Sequence, residues 1–246
     1  MHIALVGTGQ MGQAIERIAA ERGHMVVARF NSSNPLLGAS GPDALNGAEV
    51  VIDFSLPELA LPHIERYCAW GQPAVIGTTG WYDNLDEVRK QVDQAKASIL
   101  YAPNFSFGVA ILVQALRGIM PLLERLPEYD VYVHEIHHIR KVDSPSGTAL
   151  QLASIIKDGL SRKSRIETET QHGRIDSEAL HVTSTRVGNV IGHHTVGLDS
   201  PFDEVALVHD AKNRQGFAFG AVKAAEWLPG HTGLFSLEDI LADWLQ

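Results

Sequence analysis

The sequence predicts an α/β protein, with an N-terminal Rossmann-type parallel sheet domain and a second α+β domain carrying a mostly antiparallel sheet. Three observations predict it. Short apolar runs alternate with helical patterns as far as Tyr101, the rhythm of a parallel sheet covered on both faces. A glycine turn, Gly7-Thr8-Gly9-Gln10-Met11-Gly12, joins the first run to the first helical pattern. Beyond Pro103 the alternation stops, and strand-like pieces then follow one another.

The elements follow in order. Ile3–Val6 is a buried strand, and Ala14, Ile15, Ile18 and Ala19 recur at helical spacing until Gly23. Met25–Phe30 is the second strand, and further strands are expected at 50–54, 74–77 and 98–101. Helical patterns fill 59–70 and 84–96. Residues 109–126 form a long apolar helix interrupted by Pro121, and 130–136 is a strand of β-branched and aromatic residues. A helix at 148–160 precedes a polar surface segment at 161–177. Strands at 180–187, 193–198 and 204–209 complete the second half, before helices at 217–228 and 237–245.

The composition removes several classes of function. With 246 residues, 45% of them hydrophobic and 20% charged, the chain has enough apolar material for a core. No run is long enough to be a membrane span, and the first residues lack the features of a signal peptide. One cysteine, Cys68, excludes an internal disulfide framework and a cysteine-rich zinc module. The expectation is a soluble cytoplasmic protein. A net charge of −9 argues against a nucleic-acid partner, yet leaves room for a small anionic substrate bound by a few local cations. Eight of the twelve histidines lie between His134 and His209, which points to chemistry in the middle of the chain.

Gly7-x-Gly9-x-x-Gly12 matches the dinucleotide fingerprint. Its first glycine permits the turn, its second lets backbone approach a pyrophosphate, and its third allows close helix–strand packing. The carboxylate that usually follows about 20 positions on, to hold the adenine ribose, is missing. No Asp or Glu occurs between Glu21 and Asp43, and the second strand ends Arg29-Phe30-Asn31-Ser32-Ser33. Arg29 could hold a 2′-phosphate without a neighbouring repulsion, so NADPH is mildly favoured over NADH; the bland alternative is a solvated charge. Gly77-Thr78-Thr79-Gly80 and Asp53 lie at the carboxyl ends of strands, where ligands bind such sheets. A polar turn explains them equally well.

His134-Glu135-Ile136-His137-His138 has the spacing of a zinc-protease motif, which works only on a helix. On a strand, four residues span roughly 13 Å at about 3.3 Å each. That is too far for one zinc with ligands at about 2 Å, so no metal is expected. The following residues, through Lys141 to Ser146-Gly147-Thr148, place histidines and cations before a turn that opens a helix. Free N–H groups there suit a carboxylate, and His137 or His138 could donate a proton near neutral pH.

These residues carry a resemblance. The segment from Glu135 to Thr148 resembles the signature of the dihydrodipicolinate reductases, and the similarity extends over nearly the whole chain. It includes Gly7 to Gly12, Val51 to Ser55, Val75 to Gly80, Ala102 to Ser106 and the tail from Phe219 to Phe235. The glycine loop is shared by many families; the Glu135–Thr148 segment is specific to this one. The resemblance implies a reductase of 4-hydroxy-2,3,4,5-tetrahydrodipicolinate in diaminopimelate and lysine biosynthesis, assembled as a homotetramer. It implies a discontinuous cofactor domain, 1–106 with 214–246, around a substrate-binding and oligomerisation domain at 107–213. Gly7, Thr8, Gly9, Gln10, Met11, Gly12, Gly77, Thr78, Thr79, Ala102, Pro103, Asn104 and Phe105 would contact NADPH or NADH. His137 matches the general acid/base and Lys141 the proton donor, while His138, Gly147 and Thr148 match substrate-binding positions. Hydride added to a conjugated imine leaves charge on nitrogen, which His137 or Lys141 would protonate. The substrate's two carboxylates would meet His138, Lys141 and the amides of Ser146, Gly147 and Thr148.

Three departures from the family pattern stand out. The glycine loop is one residue short, Asn31 replaces the ribose-binding acid, and Leu180–Ser184 lacks an expected glycine-rich stretch. The rival readings are a non-catalytic dinucleotide sensor and a zinc hydrolase.

Overall fold

A computed structural model describes residues 1–245. The chain divides into two compact units, Met1–Phe107 with Arg214–Gln246, and Gly108–Asn213. The final residue of the first unit, Gln246, lies outside the described residues.

The first unit is a six-stranded parallel sheet. β1 (His2–Val6), β2 (Met25–Phe30), β3 (Val50–Asp53), β4 (Ala74–Ile76) and β5 (Ser98–Tyr101) are the expected runs. The interior positions of β1, β3, β4 and β5 are apolar and buried, as a sheet covered on both faces requires, while the edge strand β2 is partly exposed. The covering helices are α1 (Gln10–Glu21), α2 (Pro57–Trp70) and α3 (Leu85–Ala95), which come between strands. α6 (Gln215–Trp227) and α7 (Leu237–Trp244) come from the far end of the chain. Between them lies β11 (Gly233–Ser236), which pairs in parallel with β5 and makes the strand order β11-β5-β4-β3-β1-β2. The sequence reading contains no β11. Four residues after a glycine turn carry too little pattern, and pairing with a preformed edge defines the strand.

The second unit sets two helices beside a five-stranded sheet. α4 (Phe107–Leu123), whose first residue closes the preceding unit, runs through Pro121. That proline falls in the last turn, where its missing N–H removes one bond and the helix ends two residues later. β6 (Asp130–His137), β8 (Ala179–Arg186), β9 (His193–Asp199) and β10 (Glu204–Asp210) match expectation to within two residues. With the short β7 (Arg165–Glu167) the order is β10-β9-β6-β8-β7, and the longer ladders, β10·β9 and β9·β6, are antiparallel. α5 (Gly147–Gly159) carries the chain over to β7 and β8, which pair in parallel. β7 lies within the polar surface segment expected at 161–177: three polar-flanked residues become a strand by pairing with β8. Beside it the Lys163 ammonium is buried, bonded to the carbonyls of Ser177 (2.9 Å) and Ala179 (3.1 Å) and to Asp130 (2.5 Å). Among the described residues no helix is long and apolar enough to cross a membrane.

Candidate active site

In the first unit, the loops after the strands converge around the glycine turn. Gly7 has φ +89°, and a Cβ there would lie 2.3 Å from the Phe54 carbonyl oxygen. A Cβ on Gly12 would lie 2.1 Å from the Gly7 carbonyl oxygen, so α1 packs on the turn as only glycine allows. A Cβ on Gly9 would meet nothing within 4 Å, which leaves open space over the start of α1. That helix has no side-chain cap and no acidic residue in its first turn. Its N–H groups and positive dipole end are therefore available to a pyrophosphate, and the residues fit a dinucleotide.

Asn31 closes one side of this turn. Its amide nitrogen donates to Thr8 Oγ1 (3.4 Å), and its Oδ1 accepts from the backbone of Ser33 (2.9 Å) and Asn34 (3.0 Å). Arg29 corrects the sequence argument about charge. Although no carboxylate lies nearby in sequence, Glu16 of α1 forms an ion pair with the Arg29 guanidinium. The repulsion thought absent is supplied by a residue 13 positions earlier.

After β4, Thr78 is buried, with its hydroxyl on the Ser55 carbonyl (3.2 Å) and its carbonyl receiving Trp81 Nε1 (2.8 Å). It shapes the turn, while Thr79 is exposed. After β5, Ala102 and Phe105 are buried and Phe105 packs on Phe54 at 5.6 Å between ring centroids. Asn104 Oδ1 accepts from Ser106 N at 2.8 Å. Pro103 is exposed beside them. Asp53 is fully buried and accepts from His63 Nδ1 (2.8 Å), the Tyr67 hydroxyl (2.7 Å) and Ser55 N (2.9 Å). Burial and the adjacent Asp53 charge push the Tyr67 phenol well up. The carboxylate thus braces the end of β3 instead of facing a ligand.

In the second unit, His134, Glu135 and His137 lie on strand β6, as the spacing argument requires. His134 Nδ1 and Thr183 Oγ1 on β8 are 2.7 Å apart. No group of three or more His, Cys, Asp or Glu side chains among the described residues is arranged to hold a metal.

Strand alternation turns Glu135 and His137 to the same buried face. Register does the rest: Arg186 of β8 lies opposite His137, and His194 of β9 lies opposite Glu135. Glu135 is fully buried. It accepts from His137 Nδ1, from Arg186 through two nitrogens (2.9 and 2.7 Å), and from Ser146 N (3.2 Å). Burial pushes its carboxyl up, but the bonds from His137 and Arg186 outweigh this and hold it far below the usual range. An ionised carboxylate only accepts, so His137 donates from Nδ1 and carries its second proton or lone pair at Nε2.

His194 packs edge-on to His137 at 5.1 Å, with its Nε2 3.2 Å from Ser146 Oγ. Burial, followed by the nearby His137 and His209, pushes its imidazole down to about 3. It is neutral at pH 7.

The chain then turns through His138, half-buried, to Lys141, whose ammonium sits 2.8 Å from one Asp143 oxygen and 2.9 Å from the other. Asp143 also accepts from the backbone of Gly147; burial pushes its carboxyl up, and Lys141 more than offsets this. Ser146 is the buried N-cap of α5, its Oγ accepting from Ala149 N at 3.2 Å. Its N–H and hydroxyl are both used within the fold. Ser146 therefore drops out of the expected amide donor set, and the Gly147 N–H is already on Asp143. Sequence reasoning assigned no role to Glu135, Arg186 or His194. A buried charge at an interior position of an alternating strand was the available signal for Glu135.

Family models described as dihydrodipicolinate reductase, N-terminus, and dihydrodipicolinate reductase, C-terminus, match residues 1–105 and 108–241. A 4-hydroxy-tetrahydrodipicolinate reductase from Christiangramia forsetii is 39% identical over 99% of this chain and 98% of its own. One of the same name from Natronomonas pharaonis is 37% identical over 97% of this chain and 99% of its own. Among solved structures, a dipicolinate-bound dihydrodipicolinate reductase from Paenisporosarcina sp. TG-14 has a TM-score of 0.79. It is 22% identical, with 98% of this chain and 99% of that one covered, a likeness of fold. An amine dehydrogenase from Mycobacterium smegmatis gives a TM-score of 0.62 at 9% identity, with 97% and 95% covered.

Proposed function

The chain belongs to the dihydrodipicolinate reductase family, and from that membership we propose a division of labour among its residues. The protein is an oxidoreductase that converts 4-hydroxy-2,3,4,5-tetrahydrodipicolinate to tetrahydrodipicolinate with NADH or NADPH, in diaminopimelate and lysine biosynthesis. The first unit holds the dinucleotide and the second holds the substrate. Bound at the glycine turn, the reduced nicotinamide supplies the hydride. Gly7, Gly9 and Gly12 give the pyrophosphate room and the start of α1 gives it donors. Asn31 meets the adenine ribose, and Arg29 a 2′-phosphate when NADPH binds, which makes NADPH mildly preferred.

In the second unit the residues hold a dicarboxylate and deliver a proton. Gly147, Thr148 and the Lys141 ammonium receive one carboxylate, with His138 alongside. His137 offers a proton at Nε2 to nitrogen made basic by reduction, and Lys141 is the second proton source in reach of the same turn. The observation that supports this reading best is the His137 ring itself. It is 7% exposed and anchored at Nδ1, so only Nε2 is left for chemistry.

Oligomerisation belongs to the second unit. Its edge strand β10 leaves Val205 and Val208 exposed, and the preceding turn leaves Phe202 84% exposed, features that favour the homotetramer. The enzyme works in the cytoplasm, where its dinucleotide is regenerated.

The test is dinucleotide oxidation by the purified protein with enzymatically generated substrate. Lys141→Ala is expected to lower kcat by about 10²- to 10⁴-fold, the range of a positioned acid, with dinucleotide affinity unchanged. A kcat within a few-fold of the parent's removes Lys141 from the chemistry. Tight dinucleotide binding without turnover in the parent protein would favour the sensor reading.

A further inference from the structure

We propose that Glu135 and Arg186 form a buried positioning pair that fixes His137 with its Nδ1 proton bonded and its Nε2 as the atom that takes up and gives the transferred proton. The inference deepens the reading of His137 as an acid and rests on it. Its observation is the fourfold occupation of one buried carboxylate. His137, both terminal nitrogens of Arg186, and the Ser146 amide converge on the two oxygens of Glu135. A protonated carboxyl would set its own hydrogen against these donors, so the carboxylate form is the one this geometry holds.

Three consequences follow from charge and connectivity. First, the carboxylate fixes the tautomer. An imidazole free to place its neutral proton on either nitrogen would spend part of its time with Nε2 already protonated and no lone pair there to take up the proton it must pass on. Secondly, the pair is close to neutral. Arg186 cancels Glu135, so His137 gains orientation without the full pull of an unpaired carboxylate. Thirdly, the same two groups brace the substrate turn. Arg186 donates to the Asp143 carbonyl at 2.7 Å, and Glu135 accepts the N–H of the α5 cap, Ser146. The proton source and the carboxylate receptor are therefore fastened to one ion pair.

The titratable and charged groups around His137 are few. They are Glu135 on its own strand and His138 directly after it, Arg186 on β8, His194 on β9 with His209 behind it on β10, and the Lys141–Asp143 pair in the next turn. His194 stays neutral and contributes no charge in the working range. The net field at His137 is then set chiefly by the balance of Glu135 against Arg186.

This balance gives opposite signs for two substitutions, which a merely structural role does not. Glu135→Gln leaves the Arg186 charge uncompensated beside His137 and disfavours the imidazolium. The alkaline limb of kcat/KM should move to lower pH by about 0.5 unit or more, with kcat reduced at least about tenfold. Arg186→Met leaves the carboxylate uncompensated, favours the imidazolium, and moves the same limb to higher pH. Arg186→Lys keeps the charge without the bidentate bond and should fall between parent and Arg186→Met, which covers the case in which Arg186→Met fails to fold. Dinucleotide affinity should not change in any of them.

The second readout needs no turnover. Imidazole ¹⁵N shifts should show neutral His137 protonated at Nδ1 in the parent and redistributed between both nitrogens in Glu135→Gln. Limbs that stay in place or move the same way, or an unchanged tautomer in Glu135→Gln, overturn the proposal. His137→Ala separates this from the underlying reading. If that variant keeps its activity, His137 is not the acid, while the ¹⁵N measurement still judges the pair.

Discussion

The Arg29 and Glu16 side chains are 47% and 40% exposed, so the ion pair between them is weak and exchangeable. A ribose 2′-phosphate reaching Arg29 has that one carboxylate to displace. Glu16→Gln removes the competitor and should tighten NADPH by roughly threefold, within the 0.2–1 kcal/mol typical of such pairs, with NADH unaffected. Arg29→Ala should weaken NADPH alone. Fluorescence titration with both dinucleotides measures this, and equal changes for the two would mean that the pair lies away from the ribose.

At the scale of elements, the start of α5 is already supplied with an anion. Asp143 places its carboxylate on the Lys141 ammonium and accepts the Gly147 N–H, two of the groups a substrate carboxylate would use. A dicarboxylate ligand must compete with it. Asp143→Asn should therefore tighten pyridine-2,6-dicarboxylate by about three- to tenfold, the scale of one exposed charge-assisted contact. Calorimetric titration checks it, and weaker binding would show that Asp143 orients Lys141 for the ligand.

The elements also show what was legible in the sequence. Strands β1 to β5 and their helices could be read because each buries a local apolar pattern. So could the Glu135–Thr148 turn, whose residues are contiguous. Arg186 could not, since it reaches His137 through a parallel ladder whose strands are joined by a helix crossover. Glu16 was missed for a similar reason: it meets Arg29 across the α1–β2 packing. β7 and β11 exist only through their partners, and no three- or four-residue pattern announces them.

At the scale of the whole molecule, protons separate the two units. His194, in the second, is held near 3 by burial and the neighbouring imidazoles, against 6.5 when exposed. Between these values the unfolded chain binds a proton that the folded one refuses, so stability falls as pH drops from about 6.5 towards 3. The slope is at most about 1.4 kcal/mol per pH unit for one proton. In the first unit, Glu226 is pushed up by burial but pulled down further by Arg22, His24 and Lys223, to about 2. Its stabilisation is complete above 4.5 and is lost only as pH falls towards 2. The second unit should thus begin to lose stability at a higher pH. Denaturant melts followed from pH 7 to 3 should show the early loss, and His194→Gln should flatten it. An unchanged pH slope in that variant would locate the linkage elsewhere.

The return of the last helices to the first unit has a consequence for how the protein is made. During translation the strands β1 to β5 emerge first, but the partner of the β5 edge, β11, is not synthesised until Ser236 has been added. Gly108–Asn213 is synthesised whole in the meantime. The nascent chain therefore carries the whole sequence of the second unit while the first still has an open strand edge and lacks α6 and β11. A ribosome stalled between residues 214 and 232 displays that edge to chaperones and proteases. The first unit, begun earliest, is the last to have all of its parts.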